Sequence, residues 1–171
     1  MKMITTSLTA LIAASFAPPA LSFGNPSNPI TDLLIMGGKC IGDIEIYGKT
    51  AGIPVCNKMS NTLYKDGRTG FYFVTENYIL TFSGVSPQVK KSSNSAVQPV
   101  DLVLFNETKN GDPNNPMKLR AAGTCDFANP FLGVPVTIDC KAETSKGRFA
   151  AKFISNGAEP VIMIKNGKTV K

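Results

Sequence analysis

The stretch Gly70-Phe71-Tyr72-Phe73-Val74-Thr75-Glu76-Asn77-Tyr78-Ile79-Leu80-Thr81-Phe82-Ser83 decides the fold class. Aromatic and β-branched residues dominate both of its arms, which is the signature of a β-hairpin rather than of a helix. A two-residue turn at Glu76-Asn77 sets Thr75 opposite Tyr78, Phe73 opposite Leu80 and Phe71 opposite Phe82. Because side chains alternate along a strand, these residues share one side of the sheet. Tyr72 and Val74 then occupy the other side, across from Thr81 and Ile79. A small domain needs such an apolar stripe for its core. The competing reading is a sugar- or ligand-binding face, which exposure of Tyr72 or Tyr47 would favour.

The same pattern continues on either side of the hairpin. Further strands are expected at residues 44–47, 53–56, 97–105, 117–127, 134–141, 148–154 and 161–165, with the hairpin arms at 70–75 and 78–83. These segments are short, rich in Val, Ile, Phe and Tyr, and punctuated by Gly, Pro, Asn and Asp. Residues 30–36 are continuously apolar enough for a short helix or a strand, and periodicity does not decide between them. Long amphipathic helices are absent from the pattern. The expected fold is therefore all-β and disulfide-stabilised, either an antiparallel β-sandwich or a small β-barrel.

Two polar stretches read as exposed loops, residues 83–96 and 106–116. Loops on rigid scaffolds are where binding residues concentrate. Lys90 and Lys91 in the first, with Asn110 and Asp112 in the second, are accordingly the candidate partner-binding residues.

Cys40, Cys56, Cys125 and Cys140 allow three pairings. Local pairing, Cys40 with Cys56 and Cys125 with Cys140, closes two loops of nearly equal size. Each such loop is worth about 3 kcal/mol in the chain-entropy description. A zinc site would need ligands in close pairs, and none are spaced that way. A weak echo links the two segments: Gly52-Ile53-Pro54-Val55 precedes one cysteine and Gly133-Val134-Pro135-Val136 another, and each segment is followed by a Gly-Arg that leads into an aromatic strand. Duplication and coincidence both account for it.

The amino terminus points to export. Lys2 is followed by the apolar run Leu8 to Ala17, then by Pro18-Pro19 and Ala20-Leu21-Ser22, an order that fits a cleavable signal peptide at residues 1–22. The run is shorter than the roughly 20 apolar residues that a membrane span requires. Cleavage after Ser22 leaves 149 residues of the 171 as a single exported domain, residues 23–171, with no transmembrane segment. Its charge falls from +6 to +5 through the loss of Lys2. The expected location is secreted or periplasmic, where cysteines oxidise.

Composition excludes much chemistry. With no histidine, Ser-His-Asp and Cys-His nucleophile systems and the common histidine metal sites are gone. No glycine-rich loop opens a helix to cradle phosphate. The loop around Asn110-Gly111-Asp112 lacks the bidentate Glu of a calcium loop. The spread of basic residues gives no footprint for specific nucleic-acid binding. Glu45, Glu76, Glu107, Asp126, Asp139 and Glu143 could in principle supply a carboxylate pair for hydrolysis. The expectation is a non-enzymatic binding or structural protein of the envelope or extracellular space, without metal or cofactor, whose partner is a protein or a glycan. The alternatives are a protein inhibitor of a hydrolase and a carboxylate-based hydrolase. Oligomeric state is left open.

Overall fold

The computed structural model describes residues 28–52, 54–85, 88–109, 111–112 and 115–170. The expected signal peptide at residues 1–22 lies outside them. In chain order the strands are β1 (Ile30–Cys40), β2 (Glu45–Ile46), β3 (Lys49–Thr50), β4 (Lys58–Tyr64), β5 (Thr69–Val74), β6 (Tyr78–Gly84), β7 (Val89–Ser92) and β8 (Ser95–Glu107). They continue with β9 (Met117–Ala128), β10 (Thr137–Thr144), β11 (Gly147–Ser155), β12 (Val161–Lys165) and β13 (Lys168–Thr169).

The aromatic hairpin forms in the register its alternation requires: Phe71 pairs with Phe82, Tyr72 with Thr81, Phe73 with Leu80 and Val74 with Ile79. The turn is closed by the Thr75 amide donating to the Tyr78 carbonyl at 3.0 Å. From this pair the sheet spreads both ways, in the order β1-β4-β5-β6-β8-β9-β10-β11, every neighbour antiparallel. β11 then pairs back onto β1, so the sheet closes on itself. Of the sandwich and the barrel, the chain forms the barrel.

Eight strands enclose a space that side chains can fill. Here Met59, Phe71, Phe73, Leu80, Phe82, Val103, Ile138, Phe149 and Phe153 fill it, each at most 2 % exposed. Phe73 meets Phe82 edge-on at 5.8 Å, and Phe71 lies against Phe127 at 5.2 Å. Each such ring contributes about 1.5–3 kcal/mol by burial alone. β8 changes phase on the way: a bulge between Val100 and Leu102 shifts the inward set from Gln98 and Val100 to Val103 and Phe105.

Closure depends on a close backbone approach. Gly38 pairs with Ser155, and a Cβ on it would stand 2.2 Å from the Ile154 carbonyl oxygen. Beyond Ser155 the chain makes an excursion over residues 156–160 and returns as β12, which pairs with the earlier part of β1. β1 therefore pairs with β11 along one half and with β12 along the other. The β12–β13 hairpin turns on Asn166-Gly167, the dipeptide that suits two positive φ angles.

The bridges are Cys40–Cys56 and Cys125–Cys140, and no described cysteine is free. Their settings differ. Cys125 and Cys140 face each other across β9 and β10, whereas Cys40–Cys56 closes off the excursion that carries β2 and β3. Both bridges staple one barrel, and the repeated Gly-Arg corresponds only to the approaches of β5 and β11.

The structure settles one open segment and departs from the sequence expectation at others, among them the expected loop 83–96, which carries β7 and the start of β8 because Val89 and Lys90 pair with Val97 and Ala96. Residues 30–36 are strand throughout. β4 was not anticipated, because Ser60, Asn61 and Thr62 interrupt its apolar pattern; Asn61 faces Phe71 and donates from Nδ2 to the Gly70 carbonyl at 3.1 Å. Residues 54–56 and 134–136 lie outside any strand.

Candidate functional site

Strands β9 and β10 are joined by Asn129-Pro130-Phe131-Leu132-Gly133-Val134-Pro135-Val136. Neither proline has an N–H to give a ladder, so the apolar residues between them cannot lie in the sheet. They form a 3-10 turn over Pro130–Leu132. Asn129 caps it, its Oδ1 accepting from the Phe131 amide at 3.0 Å, and Gly133 ends it in the left-handed region at φ 71°.

The loop is tied down at both ends. The Asn129 amide donates to the Asn94 carbonyl at 2.8 Å, which joins it to the β7–β8 turn. At the far end the Val136 amide donates to Ser155 Oγ and the Ser155 amide to the Val136 carbonyl, both at 2.9 Å. The Cys125–Cys140 bridge clamps the strands beneath it. Despite this anchorage, none of the residues in the turn is buried: Phe131 is 45 % and Leu132 42 % exposed, with Val134 beyond them at 52 %. The loop is thus anchored at both ends while its large apolar groups stay in water, a combination that ordinary core packing does not produce.

Lys90 and Lys91 lie on the same end of the barrel, on β7, which pairs with β8 alone and is exposed along its length. Lysines on such an edge discourage pairing with another chain. Lys91 makes an ion pair with Asp126, and Asp126 faces Asp139 across β9 and β10. Asp139 in turn takes Lys152 at 2.7 Å. Glu45 and Glu143 both meet Arg148, at 3.1 and 3.9 Å. The carboxylates that come near each other are thus held by cations on the outer surface, as solvated ion pairs worth at most about 1 kcal/mol.

Asp112 lies at the opposite end. Its carbonyl accepts from Asn106 Nδ2 and from the Asn115 amide, both at 3.0 Å. Asn110 falls outside the described residues. The two polar loops flank the two ends of β8, whose 13 residues span about 40 Å at 3.3 Å per residue. Lys90 and Lys91 are therefore not brought together with Asp112. Among the described residues no three His, Cys, Asp or Glu side chains cluster to hold a metal ion.

Tyr72 packs over Gly70 on the outer face of β5, and its hydroxyl meets that of Tyr64 at 2.7 Å. Burial first, then the Tyr64 hydroxyl, push its pKa well above the usual tyrosine value, so it stays a neutral structural group. Tyr47 is the exposed one, at 39 %. The Phe131 loop was not legible as a site because Val134 read as the start of a strand. The signal was nonetheless present, in apolar residues held between prolines that cannot pair. Comparisons with protein-family models, with curated proteins and with solved structures return no match.

Proposed function

We propose that this chain is an exported, non-enzymatic binding protein whose barrel holds the 129–136 loop as a rigid probe, with Phe131 and Leu132 entering an apolar cleft on a partner protein. The observation that carries the reading is the conjunction of firm anchorage and exposed apolar side chains in that loop. Large, rigid apolar anchors at the centre of a contact supply most of its energy. Lys90 and Lys91 on the neighbouring edge strand add a salt-sensitive contribution that speeds encounter. A hydrolase with an apolar cleft is one such partner, and against it the loop acts as an inhibitor.

Export is supported by the two bridges and by the order of the amino-terminal residues. No helix among the described residues is long and apolar enough to cross a membrane. The mature chain is expected to begin at Phe23 or, failing that, at Leu21, and terminal sequencing of the protein from its own compartment tests this.

The binding reading is tested by cross-linking the protein in its native envelope or culture fluid, beside Phe131→Asp, Leu132→Asp and a Lys90→Ala/Lys91→Ala pair. Loss of the same cross-linked protein with both loop variants, at an unchanged unfolding midpoint, supports it. A cross-link that survives both places the contact elsewhere. Hydrolytic turnover abolished by a single carboxylate substitution overturns the binding reading altogether.

A further inference from the structure

At the other end of the barrel the β2–β3 hairpin turns on Tyr47-Gly48, with φ of 56° and 70°. The β12–β13 hairpin makes its turn on Asn166-Gly167, at 51° and 74°. A turn with two positive φ angles favours Asn-Gly, and a bulky side chain at its first position carries backbone strain. Such strain persists only where the surroundings hold it, and it collects at binding sites.

What holds Tyr47 is its ring, edge-on to Phe149 at 5.2 Å and to Phe105 at 5.9 Å, with its hydroxyl 3.5 Å from Met117 Sδ. The turn's backbone is held as well, by the Gly48 amide donating to the Arg148 carbonyl at 2.7 Å, yet Tyr47 remains 39 % exposed. Tyr47 borders a cleft of about 390 Å³ whose wall includes Tyr78 and Phe105, the latter two rings 5.9 Å apart. Ile46 and Ala51 add apolar wall, and Asn77, Glu107 and Lys109 add polar groups. The volume lies at the small end of ligand sites and suits a mono- or disaccharide.

The chemistry narrows the occupant. A carboxylate and an ammonium on one cleft offset each other, so neither an anion nor a cation is selected by charge. A purely apolar guest would strip water from Asn77, Glu107 and Lys109 without replacing it. A sugar ring satisfies both requirements, since its C–H face lies on aromatic rings and its hydroxyls donate and accept. We propose that this cleft binds a neutral pyranose sugar, stacked on Tyr47 and Tyr78 with hydroxyls bonded to Asn77, Glu107 and Lys109.

The protein contains four tyrosines and no tryptophan, so two of its four emitting rings, Tyr47 and Tyr78, sit in the cleft and can report on a stacked guest. The full chain is titrated with cellobiose, N,N′-diacetylchitobiose and maltose to about 10 mM, and separately with choline. The expected result is a saturable change with at least one disaccharide, at a Kd of about 1 mM or tighter. Tyr47→Asn places the favoured residue in the turn, so it removes the platform while keeping the hairpin. It should weaken binding by about tenfold or more at an unchanged unfolding midpoint. If the midpoint falls, Glu107→Gln takes its place, with weakened binding expected. No saturable signal from any disaccharide, equal affinity in the variant that keeps its midpoint, or saturation by choline alone overturns the proposal.

Discussion

Replacing Gly38 with Ala places one methyl group against the seam that turns this sheet into a barrel. The added Cβ would stand 2.2 Å from the Ile154 carbonyl oxygen, 2.6 Å from Phe153 Cζ and 2.8 Å from Ser155 Cα. Two of those atoms are backbone and cannot rotate away, so β1 and β11 must separate locally. The seam consists of the pairs Gly38–Ser155, Lys39–Ile154 and Cys40–Phe153. Overpacking against fixed atoms costs about 1–3 kcal/mol, and the upper end applies because net hydrogen bonds of about 1 kcal/mol each are strained with it. A domain of this size has a stability of roughly 5–15 kcal/mol, so Gly38→Ala should still fold. At about 2–4 °C per kcal/mol its midpoint should fall by about 6–12 °C. The control is the adjacent Gly37→Ala, whose Cβ would meet only the Asn156 side chain, at 3.0 Å, and that amide can move aside. Thermal unfolding followed by circular dichroism compares the two. Equal midpoints would refute the closed seam, since an open sheet has room for either methyl.

Phe73→Ala removes a fully buried ring that meets Phe82, and should cost about 3–5 kcal/mol in a urea titration. An unchanged midpoint would remove Phe73 from the core. Serine at both Cys125 and Cys140 should cost about 3 kcal/mol, and the larger sign of the lost clamp should be faster amide exchange in residues 129–136, read by mass spectrometry. Tyr72→Phe removes a hydroxyl whose folded pKa is raised by burial. That contribution is present below the unfolded tyrosine pKa of about 10 and is lost as pH rises beyond it. Stability of the unaltered protein should therefore fall more steeply above about pH 10 than that of Tyr72→Phe, and matching slopes would contradict the burial.

The parts of this fold that could be read from the chain are those set by local pattern. Phe71, Phe73, Leu80 and Phe82 alternate without interruption, and a two-residue turn leaves only one register. The bridges were legible because each joins cysteines near in sequence. Closure was not, because it rests on Gly38 meeting Ile154 across more than a hundred residues, and a glycine in sequence does not say which backbone approaches it. β4 escaped notice for a different reason. Its polar residues are satisfied by tertiary partners, as Asn61 is by the Gly70 carbonyl, and periodicity cannot register a polar group that the fold will satisfy. The candidate loop was hidden by its composition, since Phe131, Leu132 and Val134 are residues that pattern reading assigns to a core.

Where a partner could act follows from how the barrel is filled. An eight-stranded barrel either packs its interior or keeps room for one small ligand. Here phenylalanines from β5, β6 and β11 fill the interior, and the cleft at Tyr47 lies at an end of the barrel. A ligand in the interior would have to displace Phe73, Phe82 or Phe153, each worth about 3–5 kcal/mol in place. The filled interior leaves the ends as the places for the proposed contacts, and the two ends are unlike. One presents apolar side chains outward on an anchored loop, which suits a concave protein surface. The other sets tyrosines around a shallow cleft with opposed charges, which suits a small neutral guest. With a packed wall between them the two proposed contacts should be independent, so Phe131→Asp should leave the tyrosine fluorescence titration unchanged and Tyr47→Asn should leave the protein cross-link intact. Coupling between them, seen as either variant weakening both, would mean that the wall transmits strain along β8 and β9, and the assignment of one partner to each end would fail.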